Sequence, residues 1–229
     1  MLIQKQNRIA CIFDADGTLL DSMGFWCDLA RQYLHTKGID VSAQINTVVK
    51  DMSLPQSSAF LHERYLPALT PERIQQEIID MIHQAYAQKI PLKPGVYSFL
   101  SALKEKNMPM CVVSTSDEDL LHACFARTGI LPFFSFVLTP GNGKEDKTVP
   151  DLYLRACDRM HTEPYFTFVF EDTLVPVMTA EKAGFRVIGV KDVWSKGDWN
   201  VIENTADLWV DGLQEQDQIL AYMRAVQNH

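Results

Sequence analysis

No C-x-x-C pair, no basic excess and no long apolar run occur in this chain of 229 residues. The five cysteines (Cys11, Cys27, Cys111, Cys124 and Cys157) are scattered and odd in number, which excludes a disulfide framework and a zinc knuckle and suits the reduced thiols of a cytoplasmic protein. His35, His62, His83, His122, His161 and His229 show no ligand spacing. With 21 Lys and Arg against 29 Asp and Glu, the formal net charge is -8. A broad nucleic-acid or anionic-membrane surface needs a basic face, so neither partner is expected, and an anionic substrate would need local help. The opening stretch MLIQKQNRIACIFD carries an apolar run that Asp14 ends well short of a signal-peptide core or a span of ~20 residues, so no targeting or membrane segment is expected. Internal repeats and low-complexity tracts are also missing.

The sequence does contain enough apolar material, 47% of residues, for a full core and a small accessory domain. Short β-branched or aromatic runs recur at Ile9–Phe13, Met110–Val113, Phe136–Leu138, Phe166–Phe170 and Val187–Val190, with amphipathic stretches of helical length between the later ones. That alternation predicts βαβ units and a doubly wound parallel sheet in an α/β protein. The gap between the first two runs is too long for one crossover helix. From Met23 to about Pro91 the spacing is helical, with one stripe at Phe25, Trp26, Leu29, Ala30, Tyr33 and Leu34 and another at Ile74, Ile78, Ile79, Ile82 and Tyr86. Thr70 and Pro71 read as N-cap and first residue of the second helix. Gly38 and VKDMSLPQSS read as turns, and Ile90–Gly95 as the return linker. The expected domains are therefore 1–22 with 92–229 as α/β core, and 23–91 as an inserted helical domain.

Ligands of an open parallel sheet bind beyond the carboxyl ends of its strands. The first strand runs into Asp14 and Asp16, the second into Ser114, Thr115 and Ser116, and the fourth into Glu171 and Asp172, while Lys147 lies after the third. If the strands are neighbours these groups converge. Clustered carboxylates repel one another and are expected to hold a cation or share a proton, and hard oxygen ligands without His or Cys favour magnesium. Other readings stand beside this one. Asp-x-Asp-Gly is also turn chemistry, Ser114 and Thr115 could cap the helix starting near Asp117, Glu171 and Asp172 could be N-terminal helix charges, and Lys147 could be a solvated loop residue with Lys144 as its rival.

Taken in order, DADGTLLDS, VVSTS, KTVPDLYL and VFEDTLVPVMTAEKAGF resemble the four motifs of the haloacid dehalogenase-like hydrolase superfamily, over about Ile9 to Gly189. The resemblance implies a Rossmann-like core with a helical cap and a Mg²⁺-dependent phosphatase acting on a small phosphorylated metabolite. By the same resemblance Asp14 is the nucleophile that becomes an aspartyl phosphate, and Asp16 the general acid and base. Ser114, Thr115 and Lys147 would bind the phosphoryl group, with Ser114 and Lys147 also counted in the catalytic set. Asp14, the Asp16 carbonyl and Asp172 would hold the metal, supported by Glu171. Lys147 is preferred to Lys144 because it stands three residues before Pro150-Asp151, as the family lysine does. Ala15, Thr148 and Pro176 depart from the commonest residues at their positions, and Pro176 puts tight packing there in doubt. Within the superfamily, Asp16 speaks against dehalogenases and phosphonate-cleaving members. Lys50 to Ser53 is the expected specificity loop. A sugar-phosphate mutase on the same core is the alternative, left open by Lys50, Arg64, Lys89 and Lys93, although the cap's acidic and basic residues show no basic cluster. A catalytically silent binding protein would lack a nucleophile, acid or ligand, and none is missing.

Overall fold

The computed structural model describes residues 8–140 and 146–227; Lys144 and His229 lie outside them. Two compact units emerge, one formed by Met1–Asp21 with Pro91–His229 and the other by Ser22–Ile90.

The larger unit is built on six parallel strands: β1 (Ala10–Phe13), β2 (Met110–Val113), β3 (Val137–Leu138), β4 (Thr167–Glu171), β5 (Arg186–Val190) and β6 (Leu208–Val210). Their order across the sheet is β3-β2-β1-β4-β5-β6, so β1 sits between β2 and β4 and the order reverses there. All residues of β1, β2 and β4 are buried, as expected of strands covered by helices on both faces, and this is why they read as continuous apolar runs rather than alternating ones. Phe13 stacks on Phe170 at 4.5 Å between ring centroids, tying the two central strands from one face. On the other face Ile12, Val113 and Val169 pack with Leu152, Ala156, Val177 and Ala180 from the helices Asp151–Met160 and Leu174–Lys182.

The sequence places the first five strands to within a residue or so, and misses β6. That strand is only three residues long and Trp209 on it is exposed, so its apolar signal is weak. Helix starts follow the local rules: the Thr70 hydroxyl accepts from the Arg73 N–H at 3.2 Å with Pro71 next in line.

Within the smaller unit two expectations need correction. The stripe from Phe25 to Leu34 belongs to two helices, Met23–Cys27 and Leu29–Thr36, separated at Asp28. There the carboxylate accepts from Arg31 Nε at 2.7 Å and Asn46 Nδ2 at 2.9 Å, and the Asp28 N–H bonds back to the Phe25 carbonyl at 3.2 Å. In VKDMSLPQSS, Val49 ends the helix Gln44–Val49 and only Lys50 to Ser53 form the turn. From Leu54 it is a helix, because Ser53 and Gln56 close a reciprocal capping box with Pro55 in the first turn. The S-x-x-Q spacing carried that signal.

Where the chain leaves and re-enters the larger unit, Leu20 bridges Leu92 and the Asp21 N–H donates to the Pro91 carbonyl at 3.0 Å. Gly95, at φ +81°, then opens the helix Val96–Glu105 with its Cα against the backbone of Leu213 and Gln214.

Candidate active site

Because β1 lies between β2 and β4, the residues after these strands meet at one end of the sheet. Asp14 follows β1 directly, its N–H held by the Phe170 carbonyl of β4 at 3.0 Å. Ser114 follows β2 and donates its N–H to Leu138 of β3 at 3.1 Å. Glu171 ends β4 and Asp172 follows it. Sheet register thus fixes the backbone of every group before any side chain is placed.

The carboxylates of Asp14, Glu171 and Asp172 are all buried, and one oxygen from each lies within 4.8 Å of the others. Lys147, itself only 6% exposed, donates from Nζ to Asp14 Oδ1 and to Glu171 Oε1, the latter at 2.6 Å. Its loop is shaped by Asp146, whose Oδ1 accepts from the Thr148 N–H at 2.8 Å, so threonine does there by hydrogen bonding what a ring would do by constraint. Tyr153, one turn into the following helix, donates to Glu171 Oε1 at 2.8 Å. Thr18 donates to Asp172 Oδ1 at 3.2 Å.

One cation faces three buried carboxylates here. Burial pushes the Asp14 carboxyl well above the usual range, an effect Lys147 opposes and Glu171 and Asp172 reinforce. Asp172 is pushed up to about 7 by burial and then by the charge of Glu171. For Lys147 burial favours the neutral amine, but the charges of Asp14 and Glu171 outweigh it and hold the ammonium form. Glu171 Oε2 is buried with no hydrogen-bond partner. A buried carboxylate oxygen with no donor, beside two others with raised pKa values, is the environment a divalent cation would complete. The oxygen-only donor set fits a hard ion.

Asp16 differs from its neighbour. Its carboxylate stands apart from that cluster and accepts from Ser116 Oγ at 2.5 Å. Gly17 makes the separation possible: its φ of +96° turns the chain, and a Cβ on it would sit 2.8 Å from Asp172 Cγ. Ser114 is buried, and its Oγ accepts from the Ser116 N–H at 3.1 Å rather than capping the helix Glu118–Thr128. Thr115 is exposed beside it. Glu171 and Asp172 precede the helix Leu174–Lys182, whose N-cap is Thr173, and take no place in its first turn. Pro176 is the third residue of that helix, where no intrahelical acceptor exists for an N–H, and Val177 and Ala180 behind it are fully buried.

Sequence reasoning missed Tyr153 and Ser195, the latter donating to Asp172 Oδ2 at 3.4 Å, along with the pair Lys93–Asp192. Tyr153 falls on the apolar stripe of its helix and reads as core. Lys93, grouped with the cations of the inserted segment, belongs to the larger unit and binds Asp192 Oδ2 at 2.8 Å.

Residues 11–190 match the family model described as haloacid dehalogenase-like hydrolase. The chain belongs to that family. Among curated relatives, the bifunctional riboflavin kinase/FMN phosphatase of Arabidopsis thaliana is 24% identical over 187 residues, covering 81% of this chain and 49% of that protein. The chain thus spans about half the length of that relative, whereas the fructose-1-phosphate phosphatase of Escherichia coli K12, 25% identical over 183 residues, is covered to 95%, with 79% of this chain aligned. The solved structure of β-phosphoglucomutase from Clostridium difficile shares the fold with a TM-score of 0.64 at 22% identity, covering 96% of this chain and 97% of its own. The chain is an enzyme of the phosphatase kind within that family. Among the described residues no helix is long and apolar enough to cross a membrane, and none of the five cysteines is in a disulfide.

Proposed function

We propose that this chain is a cytoplasmic, Mg²⁺-dependent phosphatase that hydrolyses a small-molecule phosphate monoester, with water as the final acceptor. The observation that carries the reading is the division between the two aspartates of one turn. Asp14 is locked to Lys147 within the buried carboxylate cluster, while Asp16 stands outside it on Ser116.

That division supports two roles. Asp14 attacks phosphorus, so that one Asp14 oxygen–phosphorus bond forms as the bond from phosphorus to the ester oxygen breaks. Asp16 gives its proton to the departing oxygen. Water then attacks the aspartyl phosphate, Asp16 takes the proton back, and inorganic phosphate leaves with the Asp14 carboxylate restored. The Ser114 hydroxyl and Thr115 N–H would donate to phosphoryl oxygens, and the Lys147 ammonium would offset charge that builds on them. Asp14, Asp172 and the Asp16 carbonyl would hold Mg²⁺, with Glu171 in support; when bound it supplies positive charge that lets two anions approach. The inserted helical segment, 23–91 on the sequence reading, would serve as the cap that selects the substrate, with Lys50–Ser53 contributing contacts.

A mutase must hold a second phosphate, which calls for uncommitted cations in the inserted unit. Glu77 there accepts from Lys37 at 2.6 Å and from Arg73 at 3.0 Å, which commits these two cations, and the reaction products separate the mutase from the phosphatase. The test is a panel of phosphate esters, sugar phosphates included, incubated with Mg²⁺ or with excess chelator. Inorganic phosphate should appear in step with substrate loss, only with the metal, and not with Asp14→Asn. Isomer formation without free phosphate would replace the phosphatase with a mutase; undiminished turnover by Asp14→Asn would remove the nucleophile.

A further inference from the structure

Lys93 is the first residue after the Leu20–Leu92 bridge, at the point where the chain re-enters the larger unit. Its backbone N–H donates to the Leu19 carbonyl at 2.9 Å. Its ammonium group makes three bonds: to the Gly17 carbonyl, to the Lys191 carbonyl at 3.0 Å and to Asp192 Oδ2 at 2.8 Å. The pair is enclosed, with side chains 13% and 4% exposed, and Asp192 is held in turn by the Trp194 N–H at 2.8 Å. One side chain therefore joins the turn after β1, the return linker and the loop after β5.

Gly17 is the residue this clamp fixes. Its N–H donates to the Leu20 carbonyl at 3.0 Å and its carbonyl accepts from Lys93, so the peptide planes on both sides of a left-handed residue are pinned. The plane on its N-terminal side carries the Asp16 carbonyl. A lone glycine at φ +96° is otherwise the loosest link in the turn, since without a Cβ it has the widest choice of conformations. Lys93 donates to none of the clustered carboxylates, unlike Lys147, although its charge favours the ionised form of Asp172 and that of Asp192 opposes it.

We infer that Lys93, braced by Asp192, is a positioning residue that holds the Asp16–Gly17 turn in its reactive geometry. The inference rests on the proposed role of Asp16. Lys93→Met alone strands Asp192 as a buried charge, so the informative variant is Lys93→Met with Asp192→Asn, compared with Lys93→Arg, which keeps the donors. The double variant should keep its melting temperature near that of the native protein. It should lose up to about 10²-fold in kcat, the scale of an ångström-sized misplacement. KM should change little, the loss should be greater for alkyl than for aryl phosphates, and Lys93→Arg should recover part of it. Hydrogen exchange provides the arm that needs no turnover: the Gly17 amide should lose protection in the double variant while β1 amides keep theirs. Native kcat in the double variant, or a Gly17 amide as protected as before, would overturn the inference. Absence of turnover by the native protein would overturn the function instead, leaving the exchange result to decide the clamp.

Discussion

Asp172→Asn should make the metal-free protein more stable at pH 8, although it removes a proposed metal ligand. The Asp172 carboxyl is 1% exposed and its pKa is raised from 3.8 to about 7, first by burial and then by Glu171. Between about pH 4 and 7 the folded state therefore binds more protons than the unfolded state. Stability falls as pH rises through that window and stays reduced above it. A shift of that size corresponds to about 4 kcal/mol at about 1.4 kcal/mol per unit. Asparagine keeps one acceptor for Thr18 but offers an NH₂ to Ser195, a loss of about 1 kcal/mol, which leaves a gain of about 3 kcal/mol. For a chain of this size that is roughly 6–12 °C in Tm. The assay is thermal unfolding followed by circular dichroism in chelator at pH 4, 6 and 8, with and without Mg²⁺. The variant's advantage should vanish at pH 4, close to the unfolded value, where the folded carboxyl is protonated and neutral, and grow towards pH 8. With Mg²⁺ at a hundred times its Kd the native protein recovers about 2.7 kcal/mol and the advantage should nearly close. A variant less stable than the native protein at pH 8 in chelator, or a difference independent of pH, would refute the reasoning.

The other expectations follow from the same geometry. Lys147→Met leaves Asp14 and Glu171 without their shared cation and should cost about 3–5 kcal/mol near neutral pH in chemical denaturation, less at pH 4, where carboxyls can protonate. Asp16→Asn should slow alkyl phosphates by about 10²–10⁴-fold and aryl phosphates far less, because a good leaving group departs without a proton; equal losses would assign Asp16 to structure. Gly17→Ala and Gly95→Ala both force a left-handed residue to carry a Cβ against close neighbours, so each should cost more than about 1 kcal/mol. Only Gly17→Ala, whose Cβ meets Asp172, should also lose kcat per folded molecule; a matching loss in Gly95→Ala would show that both act through stability.

What could be read beforehand was whatever the backbone dictates locally. The strand runs, the Thr70 cap and the proximity of Asp14, Ser114, Lys147, Glu171 and Asp172 follow once β1 is placed between β2 and β4. Asp28 was not legible as a helix break because no glycine or proline adjoins it to mark one. Tyr153, Ser195 and Asp192 were hidden for a different reason: each acts through a partner far away in sequence, and residue type alone does not separate a buried tyrosine donor from a core tyrosine.

The two lysines show where such reading ends. Both bind carboxylates, Lys147 buried and Lys93 partly so, yet Lys147 stands in a loop with a motif around it, whereas Lys93 has only the linker prolines and glycine nearby. A motif marks a residue that touches the chemistry, because the spacing is set by what must be reached. A residue that holds the backbone is constrained by tertiary geometry instead, and many sequences can supply a donor at that place. The carboxylate cluster itself has a cost in the fold, as the raised values of Asp14 and Asp172 record. Concentrating negative charge where a cation and a phosphate would sit lowers stability, and fixed positive charge is the compensation the chain can build in. Lys147 compensates at the cluster, and Lys93 keeps the turn beside it from relaxing outward. Removing the first takes the bonded cation from the cluster; removing the second frees the turn that carries Asp16 and withdraws a more distant positive charge from Asp172.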